Sequence, residues 1–128
     1  MKNTLCKDER LSSKVIIDDL FSSNGVIKLK EFPFILITKE VELPTEFPVQ
    51  AMFSVAKRKN KLAVTRNLIK RRIKESYRKN KSELYSVLVS NNKQLAICFI
   101  YLDNKPLPYQ VIEEKIIVLL ERLTKKSE

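Results

Sequence analysis

The chain has 128 residues, 44% of them apolar, which is enough to bury one sizeable core, so we predict a single domain over residues 1–128. Because the chain contains no histidine, the Ser-His and Cys-His arrangements of hydrolases are excluded. The net charge of +10 restricts the partners to nucleic acid, an anionic membrane or an acidic protein surface.

The sequence also indicates a compartment. Cys6 and Cys98 do not form a CxxC pair, so neither a disulfide framework nor a zinc site is supported. No apolar run approaches the roughly 18–20 residues that a membrane helix needs, and residues 1–14 lack the apolar core of a signal peptide. We therefore predict a cytoplasmic protein with two reduced thiols.

One helix and three strands are predicted in the first half of the chain. Residues 1–11 are polar and are expected to be irregular and flexible. Ser12 and Ser13 can cap a helix whose apolar residues repeat at helical spacing, and Gly25, the only glycine, would end that helix as its C-cap. The strands are predicted at residues 26–30, 32–40 and 49–56, with a proline-containing loop at 41–48.

The second half is predicted to contain two helices and a strand. A long helix runs from about residue 62 to residue 80 without glycine or proline, and the pattern leaves open whether it continues or kinks through 82–89. An apolar strand follows at 94–102 and a final helix at 109–124. The order α-β-β-β-α-β-α predicts an α+β domain with helices packed on one face of a four-stranded sheet.

Most of the charge lies in one segment, residues 57–81, which holds 12 of the 25 basic residues and a single acid, Glu75. On a helical wheel, Ile69, Ile73 and Tyr77 form a stripe that we expect to be buried. Five donor side chains share an arc of about 100° that faces away from this stripe. They are Asn67, Lys70, Arg71, Lys74 and Arg78.

The arc is interpreted as a polyanion-binding surface. Lys70, Lys74 and Arg78 are like charges at i, i+4 spacing, which costs about 0.2–0.5 kcal/mol for each pair unless phosphates relieve the repulsion. The alternative is a solvated surface without function. A membrane is the weaker polyanion because the apolar stripe is narrow and is needed for the core. Composition does not decide between DNA and RNA.

The residues around this helix resemble a known family. The run FSVAKRK at 53–59, followed by AVTRNLIKRRIKESYR at 63–78, is similar to the signature of the bacterial ribonuclease P protein subunit. In that family a strand ending in a Ser-Val-Ser-Lys-Lys-like run precedes a helix with an Arg-Asn-Arg-x-x-Lys-Arg motif. The resemblance covers nearly the whole chain.

The resemblance implies a fold and a role. The fold is an α+β domain with a left-handed βαβ crossover through the basic helix. This is the fold type called ribosomal protein S5 domain 2-like. The role is that of the monomeric protein partner, in a 1:1 complex, of a catalytic ribonuclease P RNA that removes the 5′ leader of precursor tRNA with Mg²⁺-activated water. No catalytic side chain is then expected in the protein, and no metal site in it is identified.

The resemblance also implies two sets of site residues. The contacts to the catalytic RNA are Lys57, Arg58, Lys61, Arg66, Asn67, Lys70, Arg71, Lys74 and Arg78. The single-stranded leader is expected in a cleft between the first helix and the sheet, where aromatic side chains suit base stacking. Its predicted residues are Ile17, Phe21, Phe34 and Ser54.

This chain departs from the family pattern at two positions. Leu68 stands where the family has its second motif arginine, and Ile17 stands where many members have an aromatic residue. The segments 42–48 and 82–92 are long for the family and have no predicted function. The alternative function is a non-catalytic RNA-binding or ribosome-assembly protein that uses the same helix; an RNA-recognition motif and a DNA-binding helix are disfavoured.

Overall fold

A four-stranded sheet in the order β1-β2-β4-β3 forms the centre of the molecule. The computed structural model describes residues 5–22 and 25–128. The strands are β1 Ile27–Glu31, β2 Phe34–Glu40, β3 Val49–Val55 and β4 Leu95–Tyr101. The helices are α1 Lys14–Leu20, α2 Ala63–Asn80, α3 Ser82–Ser90 and α4 Tyr109–Ser127, and a short 3-10 helix spans Lys7–Glu9.

The pairing of the strands explains the long connection between β3 and β4. β1, β2 and β4 pair antiparallel, whereas β3 pairs parallel to β4. Parallel neighbours need a crossover of a dozen or more residues, and α2 and α3 supply it. The predicted α+β class is confirmed, and so is the order of the elements, except that two helices rather than one connect β3 to β4. This connection is the βαβ crossover, which the resemblance implies to be left-handed.

The helices cover both faces of the sheet. α2, α3 and α4 pack on one face, over the larger apolar core. α1 packs on the other face, over a smaller core that contains Leu20, Ile37 and Cys98. The prediction that all helices share one face is therefore wrong for α1. The physical reason is that β4 is apolar at every position and β2 is apolar at its first four, Phe34 to Ile37, so both faces of these strands must be covered.

α1 is shorter than predicted. The Ser13 hydroxyl accepts a hydrogen bond from the Ile16 amide at 3.4 Å, as expected for an N-cap. The helix ends at Leu20, and the Phe21 amide donates to the Ile17 carbonyl at 3.1 Å. Gly25, with φ +70°, instead stands just before β1, so its prediction as the C-cap is wrong; Asn24 lies outside the described residues.

Residues 7–11 are less irregular than predicted. Residues 1–11 were expected to be irregular, but a 3-10 helix forms at Lys7–Glu9, and Glu9 and Leu11 are buried. The prediction is wrong for these residues because they make long-range contacts that local composition does not reveal. Residues 1–4 lie outside the described residues.

The long predicted helix does not continue through residues 82–89. α3 is a separate helix, and Lys81 lies between α2 and α3 as the C-cap of one and the N-cap of the other.

The predicted second strand begins at Phe34 rather than at residue 32, because Glu31 pairs with Phe34 and leaves Phe32 and Pro33 for the turn. Among the described residues, no helix is long and apolar enough to span a membrane.

Candidate nucleic-acid interface

The two sides of α2 differ in the way the helical wheel predicts. Ile69, Ile73 and Tyr77 are fully buried in the core under the sheet, as is Ser76, whose hydroxyl donates to the Ile73 carbonyl at 2.8 Å. The opposite side, which we call the α2 basic face, is exposed or half-buried along its length. It consists of Asn67, Lys70, Arg71, Lys74 and Arg78.

The charges of the α2 basic face are not all equally available. The Arg78 guanidinium hydrogen-bonds the Glu75 carboxylate, whose other neighbour is Lys79 at 4.0 Å. The hydrogen bond from Arg78 holds the pKa of Glu75 below its usual range. Glu75 thus offsets part of the charge of Arg78. In contrast, Lys70, Arg71 and Lys74 form no ion pair within the described ranges.

The pKa of Lys74 shows that a further cation, Arg10, lies beside the α2 basic face. Partial burial lowers the pKa of its ammonium group, and the positive charges of Arg10 and Lys70 lower this pKa further. Arg10 reaches this position because it forms a β-bridge with Ala51 of β3, against which α2 packs. The helical wheel did not include Arg10, since a lone arginine in an irregular segment has no periodicity that could place it beside α2.

The loop that leads into α2 adds exposed cations. Lys57, Arg58 and Lys61 are exposed, and they follow β3 directly. The loop is fixed by buried Asn60, whose side-chain amide donates to the Asp103 carbonyl at 3.0 Å. These three cations therefore lie at the N-terminal end of α2, and their contact with RNA stays a prediction.

Arg66 has a structural role that the sequence did not predict. Its guanidinium donates to the carbonyls of Asn60 at 3.0 Å and Lys61 at 2.8 Å. These bonds hold the loop against the first turn of α2. Arg66 therefore positions the loop cations, and fewer of its donors are left for RNA.

The predicted cleft residues do not all lie on one face of the sheet. Successive strand residues point to opposite faces, and Val49, Ala51, Phe53 and Val55 all contribute to the core under α2. Ser54 therefore lies on the α1 face, where Ile17 and Phe21 belong to α1 and its C-cap. Ile17 is partly buried, and Phe21 is 49% exposed.

Phe34 was predicted in the cleft, and that prediction is wrong. Phe34 is 0% exposed and lies in the core on the α2 face, with its ring edge-on to Tyr101 at a centroid distance of 5.4 Å. The cleft position of β2 is taken by Ile35, which pairs with Ile100, the partner of Ser54. Ile35, Ile100 and Ser54 thus form a half-buried row across the α1 face.

The different environments of the two phenylalanines predict different stabilities. Phe34→Leu is expected to lower the free energy of unfolding by about 1–2 kcal/mol, because it leaves a gap in a close-packed core. Phe21→Leu, at a half-exposed site, should change it by less than about 0.5 kcal/mol. Urea denaturation measures both. Equal losses for the two variants would contradict this assignment of Phe34 to the core and Phe21 to the open cleft.

The described residues do not suit a metal ion held by the protein alone. Across residues 5–22 and 25–128, no three His, Cys, Asp or Glu side chains form a group that could bind one. The α2 basic face can offer cationic and hydrogen-bonding contact to phosphates, and the half-exposed ring of Phe21 lies on the other face of the sheet, beside α1.

Comparisons with known proteins agree on one family. The family model for ribonuclease P matches residues 5–124. The ribonuclease P protein component of Chlorobaculum tepidum is 33% identical over 106 residues, a match that covers 77% of this chain and 68% of the relative.

Solved structures share the fold. The Staphylococcus aureus ribonuclease P protein superimposes with a TM-score of 0.67 at 20% identity, covering 95% of this chain and 97% of the other. The Thermotoga maritima protein gives a TM-score of 0.69 at 20% identity, covering 89% and 96%. At this identity the structures establish the fold, whereas the family model and the curated relative establish the family. The chain therefore belongs to the ribonuclease P protein component family.

Proposed function

We propose that this chain binds the catalytic RNA of ribonuclease P through the α2 basic face and holds the 5′ leader of precursor tRNA in the cleft beside α1. In this way it assists the endonucleolytic removal of the leader. The observation that supports the proposal best is the set of cations on α2, Lys70, Arg71 and Lys74, whose charges no acid offsets within the described residues.

A rigid helix of this kind suits structured RNA. The major groove of an RNA helix is too deep and narrow for side chains to read, so recognition uses phosphates and the 2′-hydroxyls of the shallow minor groove. The buried stripe of Ile69, Ile73 and Tyr77 fixes the orientation of α2 on the sheet. The cations on its other side then meet the RNA with little loss of backbone freedom.

The cleft suits a single strand. Phe21 offers a half-exposed ring on which a base can stack, which contributes roughly 1–3 kcal/mol with little sequence preference. Ile17 and the row of Ile35, Ile100 and Ser54 provide an apolar floor with one hydroxyl. A leader of any sequence could therefore be held, which is what an enzyme that processes many tRNAs needs.

The chemistry is assigned to the RNA subunit in this proposal. The chain has no histidine, and the protein supplies binding rather than an acid, a base or a nucleophile. Mg²⁺ bound by the RNA would supply the activated water. The protein would act as a monomer, one copy for each RNA, in the cytoplasm.

Reconstitution tests this function. The purified chain, added to a bacterial ribonuclease P RNA, is expected to stimulate cleavage of precursor tRNA at low millimolar Mg²⁺, where the RNA alone is weak. An RNA-binding protein with another role, such as ribosome assembly, would bind the RNA without stimulating cleavage. Binding without stimulation at any salt concentration would thus favour the alternative function.

A cleft variant separates the two proposed surfaces. Phe21→Ala should weaken the affinity of the reconstituted enzyme for precursor tRNA by about 5–150-fold, as expected for the loss of one stacking contact. Affinity for tRNA without a leader and for the RNA subunit should not change. Fluorescence titration with the two substrates measures this difference, and an equal loss for both substrates would contradict the stacking role of Phe21.

A further inference from the structure

Residues 6–11 lie along the free edge of β3. The Leu11 amide donates to the Ala51 carbonyl at 2.9 Å, and Arg10 forms a parallel bridge with Ala51. The side chain of Gln50 donates to the Asp8 carbonyl at 2.9 Å. The segment is therefore attached to the sheet by backbone and side-chain hydrogen bonds on the edge of β3 that β4 leaves open.

A buried ion pair attaches the same segment to the end of α2. Glu9 and Lys81 are each 1% exposed, and the Lys81 ammonium donates to Oε1 of Glu9. The Tyr85 hydroxyl donates to the same oxygen at 2.8 Å, and the Cys6 amide donates to Oε2 at 2.7 Å. An ion pair of this kind is costly to bury and fixes a geometry, since both charges must stay paired.

Together these contacts set the position of Arg10. Glu9 is held at the junction of α2 and α3, and Ala51 holds the next residue at the β3 edge. Arg10 itself is exposed at the edge of β3, the strand against which α2 packs, and Lys70 and Lys74 lie one turn apart on α2. After partial burial, the positive charge of Arg10 is a further cause of the lowered pKa of the Lys74 ammonium group. Three cations from two separate parts of the chain thus lie together, which is an arrangement that a phosphate would stabilise.

We propose that Arg10 binds an RNA phosphate together with Lys70 and Lys74, and that the buried Glu9–Lys81 pair positions it to do so. This inference rests on the proposed function, because its ligand is the same RNA. It extends the RNA surface beyond α2 onto the β3 edge, which separates α2 from the face that carries Ser54 and α1. An RNA strand that touches both the α2 basic face and the cleft can cross this edge beside Arg10.

The first test measures the salt dependence of binding to a bacterial ribonuclease P RNA. Arg10→Gln is expected to flatten the slope of log affinity against log salt by about one, the value for one lost phosphate contact. Arg10→Lys should keep the wild-type slope. The matched control is Lys28→Gln, an exposed cation on β1 at the opposite edge of the sheet, which should leave the slope unchanged.

The second test asks whether the buried pair acts through Arg10. In a background of Glu9→Gln with Lys81→Met, which removes both buried charges, Arg10→Gln should no longer change the slope. If the pair only stabilised the fold, Arg10→Gln would have the same effect in both backgrounds, and the positioning role would be overturned. Circular dichroism at the binding temperature verifies that each variant is folded.

The outcomes separate this inference from the proposed function. If the wild-type chain binds the RNA with a steep salt dependence and Arg10→Gln has the wild-type slope, the role of Arg10 is wrong and the proposed function stands. If the wild-type chain does not bind the RNA, both are wrong.

Discussion

Replacing Lys70, Arg71 and Lys74 together with alanine is expected to flatten the salt dependence of RNA binding by two to three units of slope. Each of these cations is exposed or half-buried on α2, and within the described part of the chain none is paired with an acid. Each phosphate contact releases counterions from the RNA and contributes roughly 0.7–0.9 to the slope. With about five contacts, the wild-type slope should be on the order of −4.

The measurement is a series of binding titrations with ribonuclease P RNA at increasing KCl concentration. The matched control is the triple alanine variant of Lys28, Lys30 and Lys126, which removes the same charge from exposed positions on or beside β1, at the edge of the sheet opposite β3. This control lowers the net charge by the same amount, but most of the wild-type slope of log affinity against log salt should remain. Equal flattening by the two triple variants would mean that net charge, not the α2 basic face, drives binding.

Arg78 provides a comparison within the same helix. Because the Arg78 guanidinium is hydrogen-bonded to Glu75, its replacement also releases the Glu75 carboxylate next to the α2 basic face, with Lys79 still 4.0 Å away. The lost cation and the freed acid both oppose RNA binding, while the charge that Arg78 itself offers to RNA is already partly offset. The contribution of Arg78 to RNA binding therefore depends on its bond to Glu75 as well as on its position on the helical wheel.

The parts of the site that the sequence predicted are those that depend on local periodicity. The buried stripe of α2 follows from apolar residues at a spacing of 3.6 in a segment without glycine or proline, and Ile69, Ile73 and Tyr77 are indeed fully buried. The loop cations follow from their position between β3 and α2. The family motif added the function, since a basic helix by itself does not distinguish one polyanion from another.

The parts that sequence reasoning missed depend on contacts between distant residues. β2 is apolar at Phe34, Ile35, Leu36 and Ile37, so alternation could not show which of them faces the cleft, and only the register with β4 decides it. The order in residues 6–11 depends on a pair whose members are 72 residues apart in the chain. No local pattern contains that information.

That pair predicts the largest loss of stability. Lys81→Met is expected to lower the free energy of unfolding by about 3–5 kcal/mol, because it leaves the buried Glu9 carboxylate without its positive partner. The double variant, Glu9→Gln with Lys81→Met, should recover most of the loss, since no isolated charge then remains buried. Guanidinium denaturation at pH 7 measures all three proteins.

An exposed ion pair supplies the control. Lys115 and Glu31 lie 3.4 Å apart with side chains that are 35% and 32% exposed, so Lys115→Met should cost at most about 1 kcal/mol. A loss for Lys81→Met that is no larger than the loss for Lys115→Met would contradict the importance of the buried pair.

The same pair should make stability depend on pH in the acid range. Burial alone would raise the pKa of the Glu9 carboxyl, but the hydrogen bonds from Lys81, the Cys6 amide and Tyr85, with the charge of Lys81, bring this pKa below the ordinary value of 4.5. A carboxyl whose pKa is lowered by folding stabilises the fold above its unfolded pKa, and this stabilisation is lost as the pH falls through the folded pKa. The wild-type chain should therefore lose stability below about pH 4.5 more steeply than the double variant, which has no carboxyl at this site. Parallel stability curves for the two proteins between pH 7 and pH 3 would show that Glu9 is not held as a carboxylate by Lys81.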